Sequence, residues 1–291
     1  MASIYWLASY PKSGNTWFRL FMSNLLKNAD EPVDINRMGE VQTTEIASGR
    51  GWLDDVLGFD TADLTQDEID DVRPDVYEWS SRAGPITYHK IHDAVTVTSS
   101  GRPIISSQAT AGSLYIIRNP LDVAISMSNH NATTIEQSVN GLNKKRMTLA
   151  ENRVRQDSQV RQRLLSWSNH VRNWTERPIG EQLVIRYEDM LHDSQATFTR
   201  AAEFLKLPHD QEQVAKAVRH ASFAELVKQE SEKGFAETPE KAERFFRSGK
   251  AGDWRDKLTA EQIRGIVQEH FEIMLRYRYI DAAGSPIDVC P

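Results

Sequence analysis

A short apolar run, followed at once by a chain-breaking loop and an amphipathic segment, constrains this chain most. Residues 4–10 are mostly apolar and end at Pro11, which predicts a short buried strand. From Asn15 onward the apolar residues recur with the i, i+3, i+4, i+7 spacing of a helix. A strand, a tight loop and a helix in this order aim main-chain N–H groups and a helix N-terminus at an anion. We therefore expect residues 11–16 to form a phosphate-binding loop.

The loop differs from a Walker A motif, in which the lysine follows the last glycine. Here Lys12 precedes Gly14. Lys12 contributes a mobile point charge, and Ser13 and Thr16 contribute hydroxyl donors. The order Pro-Lys-Ser-Gly-x-Thr-Trp resembles the 5′-phosphosulfate loop of the sulfotransferases that use 3′-phosphoadenosine-5′-phosphosulfate (PAPS). Asn15 departs from the threonine common in animal members, but its amide is also a hydrogen-bond donor.

The composition excludes several classes of protein. The net charge of −6 argues against a general nucleic-acid binder, so any anion site is a local concentration of basic residues. No apolar stretch is long enough to span a membrane, and the N-terminus lacks the basic region of a signal peptide. The only cysteine, Cys290, allows no intramolecular disulfide, which fits a reducing compartment. We expect a cytoplasmic protein.

A second candidate strand ends in a histidine. Residues 85–92 have strand character, and the period-2 alternation puts Lys90 and His92 on one face. Ligands gather at the carboxyl ends of strands in open parallel sheets, and a histidine there is a candidate general base. A lone histidine is more often structural. The Lys-x-His spacing, however, resembles the sulfotransferase segment in which the histidine is the catalytic base.

A third strand is predicted at 113–117, followed by Arg118 and a helix with Asn119 as N-cap and Pro120 at its first position. Ser126 lies about two turns, or roughly 10 Å, into that helix. An arginine and a serine so placed can grip one phosphate from two sides. The order Arg-Asn-Pro-x-Asp-Val-Ala-x-Ser resembles the sulfotransferase segment that holds the 3′-phosphate of PAPS.

Three later segments continue the resemblance. A strand at 182–187 leads into Tyr-Glu-Asp-Met, in which Tyr187 matches a residue near the adenine. Phe223 matches an aromatic residue that contacts the base. The segment 247–254 resembles the loop that completes the 3′-phosphate site. Ser248 replaces the usual lysine there, and Lys250 is a candidate substitute.

The resemblance implies an α/β protein with a P-loop-like three-layer fold, in which helices flank a central, mainly parallel sheet. We expect one sulfotransferase domain over 1–291, with a variable acidic helical insertion at about 30–84 and a candidate acceptor lid at about 127–159. The spacing of Val160, Leu164, Trp167, Val171 and Trp174 predicts an amphipathic helix that packs in the core. Residues 255–264 lack the dimer motif of animal cytosolic members, so we expect no dimerisation through it.

The implied reaction is transfer of a sulfuryl group from PAPS to a hydroxyl of a small molecule, with PAP as product and no metal. The implied catalytic residues are His92 as base, Lys12 at the leaving phosphate and Lys90 at the sulfuryl oxygens. The implied nucleotide ligands are Lys12, Ser13, Gly14, Asn15, Thr16, Trp17, Arg118, Ser126, Tyr187, Phe223, Arg247, Ser248 and Gly249. The alternatives are an ATP-dependent P-loop kinase and a nucleotide-binding regulatory protein without activity.

Overall fold

The computed structural model describes residues 2–40, 44–82, 84–152, 156–239 and 241–287. The strands are β1 (Ile4–Ser9), β2 (Thr44–Ile46), β3 (Thr87–Ile91), β4 (Thr110–Ile117), β5 (Thr148–Leu149), β6 (Gln162–Arg163) and β7 (Glu181–Arg186). The helices are α1 (Asn15–Lys27), α2 (Arg50–Leu57), α3 (Gln66–Arg82), α4 (Pro120–Asn131), α5 (Ile135–Asn143), α6 (Trp167–Thr175), α7 (Tyr187–His192), α8 (Ser194–Phe204), α9 (Gln211–His220), α10 (Phe223–Lys233), α11 (Trp254–Lys257) and α12 (Ala260–Arg276). Short 3₁₀ helices cover Ile35–Glu40 and Thr61–Asp63.

Five of these strands form one sheet in the order β2-β3-β1-β4-β7. The pairings of β3 with β1 and with β2 are parallel, and Ala8 of β1 lies opposite Ile91 of β3. The predicted α/β class with a mainly parallel central sheet is confirmed. The short strand β2 was not predicted, because it lies in an acidic stretch without a clear period-2 pattern.

The chain forms two compact units, each built from alternating segments. The first comprises Met1–Tyr10, Thr43–Tyr115 and Lys144–Val184, and it carries most of the sheet. The second comprises Pro11–Gln42, Ile116–Asn143 and Ile185–Pro291, and it carries α1, α4, α5 and α7 to α12. The single-domain organisation stays a prediction, as do the limits of its variable parts.

The core of the first unit surrounds β1, whose six residues are all buried. The ring of Trp6 packs edge-on against Tyr77 at 5.1 Å between centroids, and its Nε1 donates a hydrogen bond to Thr110 Oγ1 at 2.8 Å. The strand therefore packs through aromatic and aliphatic side chains while its one indole donor is satisfied.

An ion-pair cluster lies beside this core. Arg73 on α3 is 0% exposed and pairs with Asp93 at 2.5 Å and with Asp70 at 3.3 Å. Asp70 is also paired with Arg161 and Arg163. Although burial alone favours a neutral guanidine, the charge of Asp93 raises the pKa of Arg73 well above its ordinary value. The cluster ties α3 to the segment that follows β3.

The second unit packs its first helix through aromatic rings. Phe21 of α1 stacks on Phe198 of α8 with 4.4 Å between centroids, and Phe18 meets the same ring at 5.7 Å. At the start of α12, Thr259 and Gln262 form the capping box that the spacing Thr-x-x-Gln predicts. That local prediction is confirmed.

One predicted helix was wrong in its length. The apolar stripe that begins at Val160 predicted a helix through Trp174, but the structure has an extended segment with β6, and α6 begins only at Trp167. Ser166 is its N-cap, and Leu165 has φ +62°, which ends any helical path before it. Val160 and Leu164 are nevertheless buried. The apolar spacing that resembles one long helix therefore combines residues of an extended segment with residues of α6.

The two variable segments contain regular structure. In the acidic insertion the sequence predicts short helices at 51–57 and 65–81, and the structure has α2 and α3 close to these positions. For the candidate lid the polar sequence predicts a long loop with broken helix, and the structure has the end of α4, then α5 and β5. The part of it at 153–155 lies outside the described residues, and its role as a lid stays a prediction. Cys290 also lies outside the described residues.

Within the described residues, no helix is both long enough and apolar enough to cross a membrane.

We predict that Arg73→Met destabilises the fold by about 3–5 kcal/mol, because it leaves the buried Asp93 carboxylate without its cation and removes one of the three arginines that pair with Asp70. The measurement is urea unfolding followed by circular dichroism. Arg102→Met is the matched control, since Arg102 pairs with Asp75 at the surface, where both side chains are largely exposed. It should cost about 0–1 kcal/mol. Equal losses for the two variants would contradict the importance assigned to the buried cluster.

Candidate active site

The turn between β1 and α1 requires backbone conformations that most residues avoid. Lys12 has φ +68° and Gly14 has φ +100°. A Cβ atom at position 14 would lie 2.7 Å from a ring carbon of Tyr187, so both conformation and space require glycine. Gly14 is the N-cap of α1 and supplies no side-chain cap. The start of α1 therefore has the features of an anion site.

Ser13 supplies a buried hydroxyl that lacks a partner among the described residues. The residue is 0% exposed and its Oγ makes no hydrogen bond within that part of the protein. Leaving such a group unsatisfied costs about 1–3 kcal/mol. A phosphate oxygen is an acceptor that would satisfy it. The residues of the loop thus fit the predicted 5′-phosphosulfate group.

Arg118 joins the loop to two other predicted motifs. Its Nη1 donates to the main-chain oxygen of Lys12 at 3.0 Å, and its Nη2 donates to the main-chain oxygen of Lys250 at 3.3 Å. Its guanidinium carbon lies 4.2 Å from the centroid of the Tyr187 ring. Its Nε is buried and has no hydrogen-bond partner in the described protein. A donor held ready in this way fits a phosphate ligand.

Lys12 points its ammonium group toward α4 and the segment before the last loop. Nζ lies 3.2 Å from Nδ1 of His130 and 4.1 Å from the centroid of the Phe245 ring. The ring face attracts the cation, and the imidazole nitrogen accepts a hydrogen bond from it. His130 was not predicted as a site residue.

Glu237 contacts the first turn of α1. Thr16 Oγ1 donates to its Oε2 at 3.3 Å, and Arg19 Nη1 donates to its Oε1 at 2.8 Å. Arg19 is 4% exposed, so the arginine of this ion pair is largely removed from solvent. A carboxylate therefore lies one hydrogen bond from Thr16, a predicted phosphate ligand. No sequence motif marks Glu237.

The loop 247–254 is anchored from α4. Both oxygens of Asp122 accept main-chain hydrogen bonds, from Gly252 at 2.8 Å and from Trp254 at 3.3 Å. Burial is the main cause that raises the pKa of Asp122. Asp122 stands inside the predicted 3′-phosphate motif, so its place was visible, but its anchoring role was not.

Within that loop, Arg247 pairs with Asp253 at 2.9 Å, and Ser248 also hydrogen-bonds this carboxylate. Gly249 has φ +60°, and a Cβ there would lie 2.4 Å from the Phe223 ring. The structure therefore brings Phe223 and Gly249 into contact, whereas Arg247 and Ser248 turn to Asp253. Lys250 contributes its main-chain oxygen to Arg118, and its proposed substitution for the missing lysine stays a prediction.

Two aromatic rings among the predicted nucleotide ligands meet. Trp17 and Tyr187 have centroids 5.9 Å apart, and Trp17 Nε1 donates to the main-chain oxygen of Ala221 at 2.8 Å. Burial raises the pKa of the Tyr187 hydroxyl. Next to Tyr187, the buried Glu188 accepts a hydrogen bond from the main-chain N–H of Asn119 at 2.9 Å. This contact ties two predicted motifs together and was not predicted.

In the first unit, His92 directly follows β3. Its Nδ1 lies 2.7 Å from the main-chain oxygen of Ser9 at the end of β1. A carbonyl oxygen only accepts, so Nδ1 carries the proton and, in the neutral ring, Nε2 carries the lone pair. A neutral imidazole held in one tautomer is the form that a general base requires.

Lys90 and Ser126 are half-buried, the first on β3 and the second on α4. In the register of the sheet, Lys90 lies opposite Leu7 of β1 and Ile46 of β2. Both positions agree with the elements predicted for them. Among the described residues, no group of three or more His, Cys, Asp or Glu side chains is placed to hold a metal ion.

A strand, a loop with the features of an anion site and a helix, set on a mainly parallel sheet, define a P-loop-like α/β protein. The family described as "Sulfotransferase domain" matches residues 4–277. The chain belongs to the sulfotransferase family.

Individual relatives are distant. The 3-alpha-hydroxysteroid sulfotransferase of Cavia porcellus is 24% identical over 282 residues, which cover 92% of this chain and 83% of the relative. Sulfotransferase 1E1 of Rattus norvegicus is 32% identical over 113 residues, which cover 37% of this chain and only 38% of that protein.

Solved structures show the same fold. Mouse sulfotransferase SULT7A1 complexed with PAP has a TM-score of 0.56 at 20% identity, covering 94% of this chain and 84% of that one. Retinol dehydratase in a complex with retinol and PAP has a TM-score of 0.58 at 19% identity, covering 94% of this chain and 82% of that one.

We predict that Glu237→Gln strengthens the binding of PAP by about three- to tenfold, because it removes a carboxylate that shares Thr16 with the incoming phosphate. Titration calorimetry measures the change. Glu243→Gln, at an exposed position of the neighbouring segment, is the matched control and should leave the affinity as it is. Weaker binding of PAP to Glu237→Gln would mean that the carboxylate organises the loop instead of competing for it.

Proposed function

We propose that this protein transfers a sulfuryl group from PAPS to a hydroxyl group of a small-molecule acceptor. The observation that carries the proposal is the loop at 12–16. Its buried Ser13 hydroxyl has no partner among the described residues, and the neighbouring Lys12 accepts a hydrogen bond from Arg118 at its main-chain oxygen. Membership of the sulfotransferase family supports the reaction class. The presence of PAP in two structures with this fold supports the choice of donor.

The nucleotide ligands follow from the motifs. The proposed ligands of the 5′-phosphosulfate are Lys12, Ser13, Gly14, Asn15 and Thr16. Those of the 3′-phosphate are Arg118, Ser126, Arg247, Ser248 and Gly249, and those of the adenine are Trp17, Tyr187 and Phe223. The hydrogen bonds of Arg118 to two of these segments, and the contact of Trp17 with Tyr187, are consistent with this division.

PAPS supplies a sulfur atom that the acceptor oxygen attacks in line, forming one S–O bond as the bridging S–O bond breaks. His92 takes the proton of the acceptor hydroxyl at Nε2, and its Nδ1–H donates to Ser9. The hydrogen bond from Nδ1–H to Ser9 stabilises the imidazolium that forms when His92 acts as the base. Lys12 stabilises the negative charge that the leaving phosphate oxygen acquires. Lys90 orients the sulfuryl oxygens.

The acceptor class is proposed at the level of a small molecule with a hydroxyl group. The relatives' names include a hydroxysteroid and retinol, both of which carry such a group. The predicted lid at 127–159 is the proposed acceptor side, and the cytoplasmic location remains a prediction. Family membership favours sulfuryl transfer over the kinase alternative. An activity assay separates an enzyme from an inactive relative.

We predict that His92→Ala lowers kcat by about 10²–10⁴-fold, because general-base catalysis contributes that much. The affinity for PAP should stay nearly unchanged. The assay follows PAP formation from PAPS with whichever member of a panel of phenols, steroids and primary alcohols the wild type uses best. His209→Ala is the control at an exposed histidine and should retain full activity. A kcat for His92→Ala within about tenfold of the wild type would remove His92 from the mechanism.

A further inference from the structure

A buried histidine and tyrosine of the first unit hold the main chain at His92. His170 on α6 is 0% exposed, and its Nε2 lies 2.9 Å from the main-chain oxygen of His92. Its Nδ1 lies 2.8 Å from the hydroxyl of Tyr115 on β4, which is also 0% exposed. Neither residue belongs to any motif singled out in the sequence.

The two hydrogen bonds fix one tautomer of His170. The carbonyl oxygen of His92 only accepts, so Nε2 of His170 must carry a proton. Burial lowers the pKa of His170 to about 4, so the ring is neutral and Nδ1 carries a lone pair. The Tyr115 hydroxyl then donates to Nδ1. This donor adds to the preference for the Nε2–H tautomer, because the other tautomer cannot donate a hydrogen bond to the His92 oxygen.

The neighbouring residue is held from the same helix. Trp174 lies one turn after His170 on α6, and its Nε1 donates to the main-chain oxygen of Asp93 at 3.0 Å. Residues four apart share a helix face, so one face of α6 supplies donors to two consecutive carbonyl groups. The Asp93 carboxylate is in turn held by Arg73 and by the main-chain N–H of Arg163.

The position of the His92 ring depends on these contacts. Its Nδ1 is held by the Ser9 oxygen, and its main chain is held by His170. With both ends fixed, the direction of Nε2 is fixed as well. A misplacement of a catalytic group by about 1 Å can cost 10²-fold in rate.

We propose that Tyr115 and His170 are positioning residues for His92, with Tyr115 stabilising the His170 tautomer that holds the His92 main chain. This inference rests on the proposed role of His92 as the base. It adds two residues that act on the reaction through His92.

The experiment compares three variants in steady-state assays with PAPS and the best acceptor. His170→Leu removes the donor and should lower kcat by about 30- to 100-fold with little change in the KM for PAPS. His170→Gln keeps an N–H donor and should recover much of that loss. Tyr115→Phe removes a single oxygen atom and should lower kcat by about three- to tenfold. PAP affinity by calorimetry should be unchanged in all three.

His89→Gln is the matched control. His89 is also buried, and burial lowers its pKa to about 3, but its Nε2 pairs with the hydroxyl of Thr87 and not with the His92 main chain. Its kcat should equal that of the wild type. Circular dichroism shows which variants fold. If His170→Leu does not fold, the kcat of Tyr115→Phe tests the inference on its own.

Two results would overturn the inference: a wild-type kcat in Tyr115→Phe, or equal losses in His170→Leu and His170→Gln when both are folded. Failure of the proposed function looks different. In that case the wild type transfers no sulfuryl group, or His92→Ala keeps its activity.

Discussion

The candidate nucleotide site of the second unit depends on the contacts of the Arg118 guanidinium group. It bonds to the main chain of Lys12 and of Lys250 and lies over the Tyr187 ring, so it joins four segments that are far apart in sequence. Two of its nitrogen atoms are used in this way, and the buried Nε has no partner in the described protein. The same side chain can therefore organise the loops and offer a donor to an anion.

Buried carboxylates hold the segments that carry the proposed 3′-phosphate ligands. Asp122 anchors the loop at 247–254, and Glu188 binds the main chain just before α4. Burial raises the pKa of both groups, which is the cost of placing them there. Main-chain N–H donors offset part of that cost. Buried carboxylates thus hold the main chain of segments that carry the proposed nucleotide ligands.

The sequence predicted most of the fold because its strongest signals are local. Four strands were predicted from apolar runs. The loop that contains Gly14 was predicted from the break between the apolar run of β1 and the helical pattern of α1. The stripe from Val160 to Trp174 misled, because extended residues before Ser166 are buried at intervals that imitate a helix. Local periodicity cannot reveal that the chain before Ser166 is extended, since this depends on tertiary contacts.

The site was predicted in part for the same reason. Residues within motifs, such as Lys12, Arg118 and His92, were found from residue type and spacing. His170 was assigned to a core helix, and Glu237 lies in a segment with no motif. Their roles depend on which atoms meet across more than seventy residues of chain, as in the contact between His170 and His92. Spacing along the chain carries no information about such contacts.

Calorimetric titration of the purified protein with PAP, beside ATP with Mg²⁺, tests whether PAPS is the sulfuryl donor. We predict that PAP binds without any metal and about tenfold or more tightly than ATP, because two separate sets of hydrogen-bond donors receive its 3′- and 5′-phosphates. Binding of ATP with Mg²⁺ in the absence of PAP binding would contradict the proposed donor and would favour phosphoryl transfer.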